Sequence, residues 1–447
     1  MLNEPKIRND SNEQTISIEK QNQIEINKFY PKPETTTSFS YEPINKNENE
    51  ENKNPVNMTI NIINNQYIYQ QYPFINNFPF MQFLYYYHIP SDSFFDLLTK
   101  EIECYYNYTY KNIEYLNKIR SKYLNKVEEL IKIGLEKKYE IKFGHYGSYF
   151  TNLSIEGSDI DILVYYRPNN PNFNFLNDII DLLNEHENEF DLILPILSAS
   201  VPVIKLQIKI NKEVDNNIIE YLPYFEIKDL SHVKIDLTFT SDKNEFKKPE
   251  QIVLYTNENI NNYPDIKPLL LVLKRYFRIL KMNKSFTGGL SSFSLFLLIL
   301  SFLKSNILLS SITLNIGKLL YYILEKYSFF DYKNYGINVE GPEYYFPLDN
   351  NINNSFNGFN NFENRVEEIN ILDPFTKLNV AKSSFQVDAI KNTFNKALFF
   401  FKYEAWQYDS NNYQNFNNNN LNMNNNYIEN NYKENDFLII KKLFSTK

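Results

Sequence analysis

Three carboxylates stand out by type and spacing. In "SDIDILVYY" two aspartates, Asp159 and Asp161, sit one residue apart at the head of an apolar run; in "VKIDLTFT" a third, Asp236, interrupts alternating apolar residues. Along a strand side chains alternate faces, so Asp159 and Asp161 project together while Ile160 and Ile162 turn to the core. Two adjacent carboxylates repel, and keeping both ionised calls for a cation between them. Three on neighbouring strands form a hard oxygen cage suited to Mg²⁺. Two metals held that way activate an attacking hydroxyl and neutralise a leaving pyrophosphate. The plainer alternative is that Asp159 caps a turn and Asp236 ends a strand.

Upstream of the paired acids runs "GSYFTNLSIEG". Only 10 of the 447 residues are Gly, and Gly144, Gly147 and Gly157 fall in this neighbourhood. Gly147 and Ser148 form a turn whose backbone N–H groups and hydroxyl suit a triphosphate. Positive charge gathers further on. From Ile266 to Leu324 there are eight Lys or Arg and no Asp or Glu, and six of the eight lie between Lys267 and Lys284. A phosphate-bearing ligand explains this; so does a solvated helix face. Lys274 and Arg278, four residues apart, share one helix face.

These residues must be positioned by regular elements. "FFDLLTKEIECYYNYTYKNIEYLNKIRSKYLNKVEELIKIGL" has apolar residues at three- and four-residue spacing and no Pro, which predicts helices. "YEIKFGHYGS" predicts a strand and turn, "NFLNDIIDLLNEHENEF" an amphipathic helix, and "PVIKLQIKI" and "VKIDLTFT" alternating strands. From Ile266 onward four apolar stretches read as helices. An α/β piece thus sits between helical flanks that assemble into one helical domain.

Bulk properties narrow the class. Hydrophobic content of 43%, with 16% aromatic, is ample for a large core. The single cysteine, Cys104, forbids an internal disulfide framework and fits a reducing compartment. The four His are scattered, so no structural zinc is expected. The polar start "MLNEPKIRND" predicts no secretory leader, and "FSLFLLILSFL" is shorter than the ~20 residues of a membrane span. No membrane association is expected. A net charge of −8 argues against nucleic-acid binding by overall charge.

Several of these motifs, in order, resemble one family. "GS", "SDIDILV" and the later "VKIDLTF" are similar to the nucleotidyltransferase signature of the DNA polymerase beta superfamily. "SVPVIKLQI", "KPLLLVLKRYFRILKMNKSFTGGLSSFSLFLLILSFL" and "ILDPFTKLNVAKSSFQVDAIKNTFNKAL" resemble segments of Trf4-type non-canonical poly(A) polymerases. The resemblance runs from about Leu97 to Trp406. It implies an α/β plus α architecture: a palm of mixed sheet with helices, a helical central domain, and disordered Asn-rich arms. The expected organisation is a disordered arm over 1–92, helices packing with the central domain over 93–137 and the palm over 138–245. The helical central domain follows over 246–409, an Asn-rich tract over 410–432 and an apolar segment over 433–447.

The resemblance also implies roles. Asp159, Asp161 and Asp236 would be metal ligands for two Mg²⁺ (or Mn²⁺), with Asp236 also general base for the RNA 3′-hydroxyl. Gly147 and Ser148 would hold the β- and γ-phosphates; Lys274 and Arg278 would meet the triphosphate; Ser292 would add a phosphate contact. Arg278 stands where the family usually has Lys. Phe293, at a position commonly Tyr, would stack on the base, its alternative being a core residue. Asn379 completes the nucleotide-binding set. Related uridylyl transferases carry an acid at the position of Thr376 and a His just before "NV"; here no His precedes Asn379 and the spacing is one residue shorter. Asn152 replaces a family Gly. The implied activity is addition of AMP from ATP to RNA 3′ ends in RNA surveillance, processing or decay. A terminal uridylyltransferase and a catalytically inactive scaffold are the alternatives. A zinc-knuckle RNA-binding partner, a helicase and a nuclear location are implied by the same analogy.

Overall fold

A computed structural model describes residues 88–198, 201–210, 232–306, 314–341, 343–348, 368–417 and 437–445. The expected N-terminal arm up to residue 87 and the Asn-rich tract beyond residue 417 lie outside them.

The chain enters through α1 (Asp92–Leu135), a single helix of 44 residues. Ser91 caps it, its hydroxyl accepting from Phe94 N–H. At about 1.5 Å per residue such a helix is roughly 66 Å long, and it serves two cores. Phe94, Phe95, Leu98, Ile102 and Tyr105 belong to a helical core, whereas Leu124, Val127, Ile131 and Leu135 belong to a core beneath a sheet. The helices expected over 93–137 are therefore one rod, and its C-terminal half packs with the palm rather than with the central domain.

The sheet follows: β1 (Tyr139–Tyr146), β2 (Ile160–Pro168), β3 (Leu192–Ile196), β4 (Val203–Lys209) and β5 (His232–Thr240). Its order is β1-β2-β5-β4-β3, with β2 and β5 parallel and the other pairs antiparallel. A short helix, α2 (Gly147–Phe150), lies between β1 and β2, and α3 (Phe175–Glu185) follows β2. Ile160, Ile162, Ile204, Ile235 and Leu237 are completely buried; each such side chain contributes roughly 1.5–3 kcal/mol by leaving water. Their burial fixes the register, because a slip by one residue would expose them all.

The helical part comprises α4 (Lys243–Asn262), α5 (Ile266–Ile279), α6 (Ser292–Asn306), α7 (Ile316–Phe329), α8 (Val387–Asn417) and α9 (Leu438–Ser445), with a two-stranded β6 (Tyr335–Ile337) and β7 (Tyr345–Pro347). α6 is apolar all round because it is the centre: Leu297, Leu298, Ile299 and Leu300 are fully buried. Phe277 of α5 and Tyr327 of α7 meet Phe394 of α8, with ring centroids 5.0 and 5.6 Å apart. α8 runs beyond Trp406, where the resemblance ends, to Asn417, into the start of the Asn-rich tract.

Two elements escape a reading by periodicity. β3 contains Pro195, tolerable because β3 is an edge strand. α4 is polar and contains Pro249. Its signal is Asp242, whose carboxylate accepts from Asn244 N–H at 2.7 Å, followed three residues later by Glu245. Among the described residues no helix is long and apolar enough to cross a membrane.

Candidate active site

One row of side chains crosses the sheet. Tyr146 on β1 pairs with Asp161 on β2, Asp161 with Asp236 on β5, and Asp236 with Lys205 on β4. The buried isoleucines and leucines between them point the other way, so alternation puts this row on the opposite face. Asp159 immediately precedes β2. Two carboxylates are thus neighbours, a third is close by, and a lysine closes the row with its ammonium bonded to Asp236.

The electrostatics follow from crowding. Burial pushes the Asp161 carboxyl up to about 7, the charges of Asp236 and Asp159 push the same way, and Lys274 and Lys205 oppose. Asp236 is also raised, by burial and by Asp159, against the bond from Lys205 and the field of Lys284. The donor set fits a hard divalent cation, since a cation is what buried like charges lack. Among the described residues no three acid, His or Cys side chains are already arranged around a common point as metal ligands. Asp236 faces Lys205 instead, so coordination would require that ammonium to yield.

The turn after β1 is shaped around Asp161. Gly147 has φ +78°, and a Cβ there would lie 2.0 Å from Asp161 Oδ2. Glycine is needed twice, for the left-handed backbone and for the carboxylate resting on it. Ser148 follows in α2, its carbonyl accepting from Leu153 N–H at 2.9 Å.

The predicted cations have unforeseen partners. Lys274 Nζ donates to Leu153 O at 2.7 Å, Arg278 donates to Glu156 O, and Arg275 Nη1 donates to Glu156 Oε2 at 2.9 Å. Arg120 of α1 reaches Ser154 Oγ and Ile155 O, both at 3.4 Å. Three cations of α5 and one of α1 thereby grip the loop that leads to Asp159. Lys274 is 6% exposed; burial lowers it to about 7, with Arg120 and Arg278 adding to the effect and Asp161 opposing it. Lys274 and Arg278 do share a helix face, and that face is bonded to the loop that leads to Asp159.

Ser292 opens α6, and Phe293 is partly buried, packing on the helical core and stacked with Phe296 at 6.0 Å. Asn379 has a different task from the expected nucleotide contact. Its Oδ1 accepts from Ile371 and Ala381 N–H, and its Nδ2 donates to Ile369 O. Three of the four hydrogen bonds its amide can form go to its own loop, so Asn379 organises that loop. The structure therefore gathers Asp159, Asp161, Asp236, Gly147 and Lys274, joins Arg278 to the same loop, and sets Asn379 apart as a brace.

Sequence reasoning misses Lys205, Arg120, Glu156 and Arg275. Lys205 carried a signal in the alternation of "VIKLQIK", which puts it on a polar face, but only strand order makes Asp236 its neighbour. Buried Glu156 and partly buried Arg275 are paired across 119 residues, for which no local pattern exists.

Comparison with known proteins agrees with this geometry. Residues 98–266 match the family model described as poly(A) RNA polymerase, mitochondrial-like, central palm domain. The match begins inside α1, the helix that packs under the sheet. The chain is 28% identical over 260 residues to the inactive non-canonical poly(A) RNA polymerase protein Trf4-2 of Drosophila melanogaster, covering 55% of this chain and 54% of that protein. It is 28% identical over 294 residues to poly(A) RNA polymerase gld-4 of Caenorhabditis elegans, covering 63% and 31%. The polymerase core of TRAMP, an RNA surveillance complex, superposes with a TM-score of 0.48 at 22% identity over 65% of this chain and 81% of that one. The chain spans about half or less of the length of the curated relatives it matches. Residues 98–266, which carry the three acids, are thus similar to the palm domain of poly(A) RNA polymerases, and the resemblance to Trf4-type enzymes holds.

Proposed function

We propose that the chain is a template-independent poly(A) polymerase that adds AMP from ATP to RNA 3′ ends. The observation that carries this reading is the in-register pair Asp161–Asp236, with Asp159 beside it, on a palm of the matched kind. In the reaction a bond forms between the RNA 3′-oxygen and the α-phosphorus, and pyrophosphate leaves in line. Asp236 accepts the hydroxyl proton on its carboxylate. Asp159, Asp161 and Asp236 would hold two divalent cations, Mg²⁺ or Mn²⁺, which supply charge neutralisation at the α-phosphate and leaving group.

The chain's own residues prepare the rest. The Gly147–Ser148 turn lies against Asp161, so phosphates held there sit beside the acids. Lys274 and Arg278 exchange Leu153 O and Glu156 O for phosphate oxygens; a bond to an ionised acceptor is stronger than one to a carbonyl, which drives the exchange. Phe293 offers a partly exposed ring for the base. Thr376, and Leu378 where related uridylyl transferases have His, support ATP over UTP. The net charge of −8 supports reliance on an RNA-binding partner; a zinc-knuckle protein, a helicase and a nuclear setting follow from the Trf4 resemblance alone.

An inactive scaffold is the second reading, favoured by the inactive relative in Drosophila; the three aspartates oppose it. The test is a tailing assay with Mg²⁺, a labelled 3′-hydroxyl RNA and each nucleoside triphosphate in turn, beside Asp159→Ala/Asp161→Ala. Extension with ATP that the variant lacks supports the proposal. Preference for UTP overturns the adenylyl reading, and no extension with any nucleotide, with or without a candidate RNA-binding protein, favours the scaffold.

A further inference from the structure

Beside the acid row lies a surface not used above. Two loops meet there: the single 3-10 turn Ser285–Thr287 that precedes Gly288 and Gly289, and the segment Ser384–Gln386 that leads into α8. Gln386 N–H donates to Gly288 O at 3.1 Å, Gln386 Nε2 to Thr287 O at 2.7 Å, and Ser384 Oγ to Gly289 O at 2.8 Å. Gly288 adopts φ +88°, and a Cβ there would fall 2.8 Å from a ring carbon of Phe385. The Phe385 ring therefore lies against the glycine backbone, two residues from Phe286.

Both rings face solvent. Phe286 is 73% exposed and Phe385 48%. A single exposed apolar residue is ordinary, but these two occupy adjoining loops joined by one backbone bond and two side-chain bonds to backbone carbonyls, which hold them in place. A positive charge stands beside them. Lys284 Nζ stands 5.6 Å from the Phe286 ring centre. Lys281, Lys377 and Lys382 lie on the same two stretches, and neither 281–292 nor 374–387 contains an Asp or Glu. The surface also adjoins the reaction centre: the field of Lys284 reaches Asp236, and the first loop runs directly into Ser292 and Phe293.

Rigid aromatic faces interleaved with lysines suit unpaired bases on a phosphate backbone. A docked protein segment would gain from the apolar area but would leave the Lys284 ammonium without an anionic partner, so charge complementarity favours a polyanion. We propose that Phe286 and Phe385 form a stacking platform for the bases of single-stranded RNA entering the active site, with Lys284 on its backbone. This deepens the polymerase reading and rests on it for the direction of the strand. Stacking accepts any base, so the platform binds RNA ends of different sequence.

The test is fluorescence anisotropy with the full chain and a short labelled single-stranded RNA ending in a 3′-deoxynucleotide, so that binding is read without chemistry. Phe286→Ala/Phe385→Ala is expected to weaken binding about tenfold or more, with an unchanged thermal midpoint because both rings are exposed. Phe286→Trp/Phe385→Trp should keep the affinity. Lys284→Gln should lower the slope of log affinity against log salt by about one. Unchanged affinity in the double Ala variant overturns the proposal, as does equal loss with Trp, or binding of duplex RNA as tight as single-stranded. Dissociation of a self-associated form by the Ala variant without loss of RNA affinity also overturns it, making the rings a protein interface. Failure of the polymerase reading looks different: the wild type then adds no nucleotide, yet the Ala variant still loses RNA binding. If the wild type tails RNA and the variant binds and extends it equally well, the platform alone fails.

Discussion

Around Glu156 every cation has an acceptor: the carboxylate takes Arg275, and backbone carbonyls on either side take Arg120, Arg278 and Lys274. A few residues away, along the row Tyr146–Asp161–Asp236–Lys205, like charge stands beside like charge. The same loop joins the two arrangements, yet one is electrostatically settled and the other is not. Paired buried charges hold a loop in one place; adjacent buried acids cost stability unless a ligand relieves them. The contrast separates the Glu156–Arg275 pair, which holds the loop, from the acids of the row, which a bound cation would relieve.

The sharpest way to break this comparison is to neutralise one acid of the row. Asp161→Asn should lower tailing by about a thousandfold or more while leaving the thermal midpoint unchanged or higher, because a repelled charge is removed. A fall in midpoint would show that the row is structural. The opposite pattern is expected in the settled group. Arg275→Met strands Glu156 without its cation and should cost about 3–5 kcal/mol in denaturant unfolding. Arg275→Met with Glu156→Leu should recover much of that, and a double-mutant cycle without coupling would remove the pairing from the account.

Gly147→Ala tests the junction between the groups. A Cβ at φ +78° against the Asp161 carboxylate should cost roughly 2–3 kcal/mol and displace that acid; near-wild-type stability and tailing would count against the fitted turn. The smallest effect concerns Glu101, a buried acid of the helical part. Glu101 accepts Ile439 and Ile440 N–H at 2.7 and 3.1 Å, tying α9 to α1. Burial raises it from 4.5 to about 7. The folded state then binds more protons than the unfolded one between these values. Its contribution is full below pH 4.5 and is lost as pH rises through about 7. Compared with Glu101→Gln, the wild type should lose on the order of 2 kcal/mol between pH 5 and 8. A difference between the two proteins that does not vary with pH would refute this.

Much of the site was legible because its rules are local. Alternation in "SDIDILV" and "VKIDLTF" puts the acids opposite the buried isoleucines, and the rarity of glycine points to Gly147. The three- and four-residue spacing of "IKPLLLVLKRYFRIL" puts Lys274 and Arg278 on one face. The bonds of Asn379 to Ile369, Ile371 and Ala381 of its own loop were not legible in its motif.

The sequence by itself determined which residues carry charge, which faces of which strands and helices are apolar, and where the turns fall, since these depend on periods of two and 3.6 residues. Only the tertiary structure decided that Asp161 and Asp236 are neighbours, that Lys205 flanks them, and that α1 spans two cores. It alone also decided that Glu156 meets Arg275 and that Glu101 receives α9. Those pairings join residues 31 to 338 positions apart, and such contacts are set by strand order and by the packing of whole faces, which no short window of residues contains.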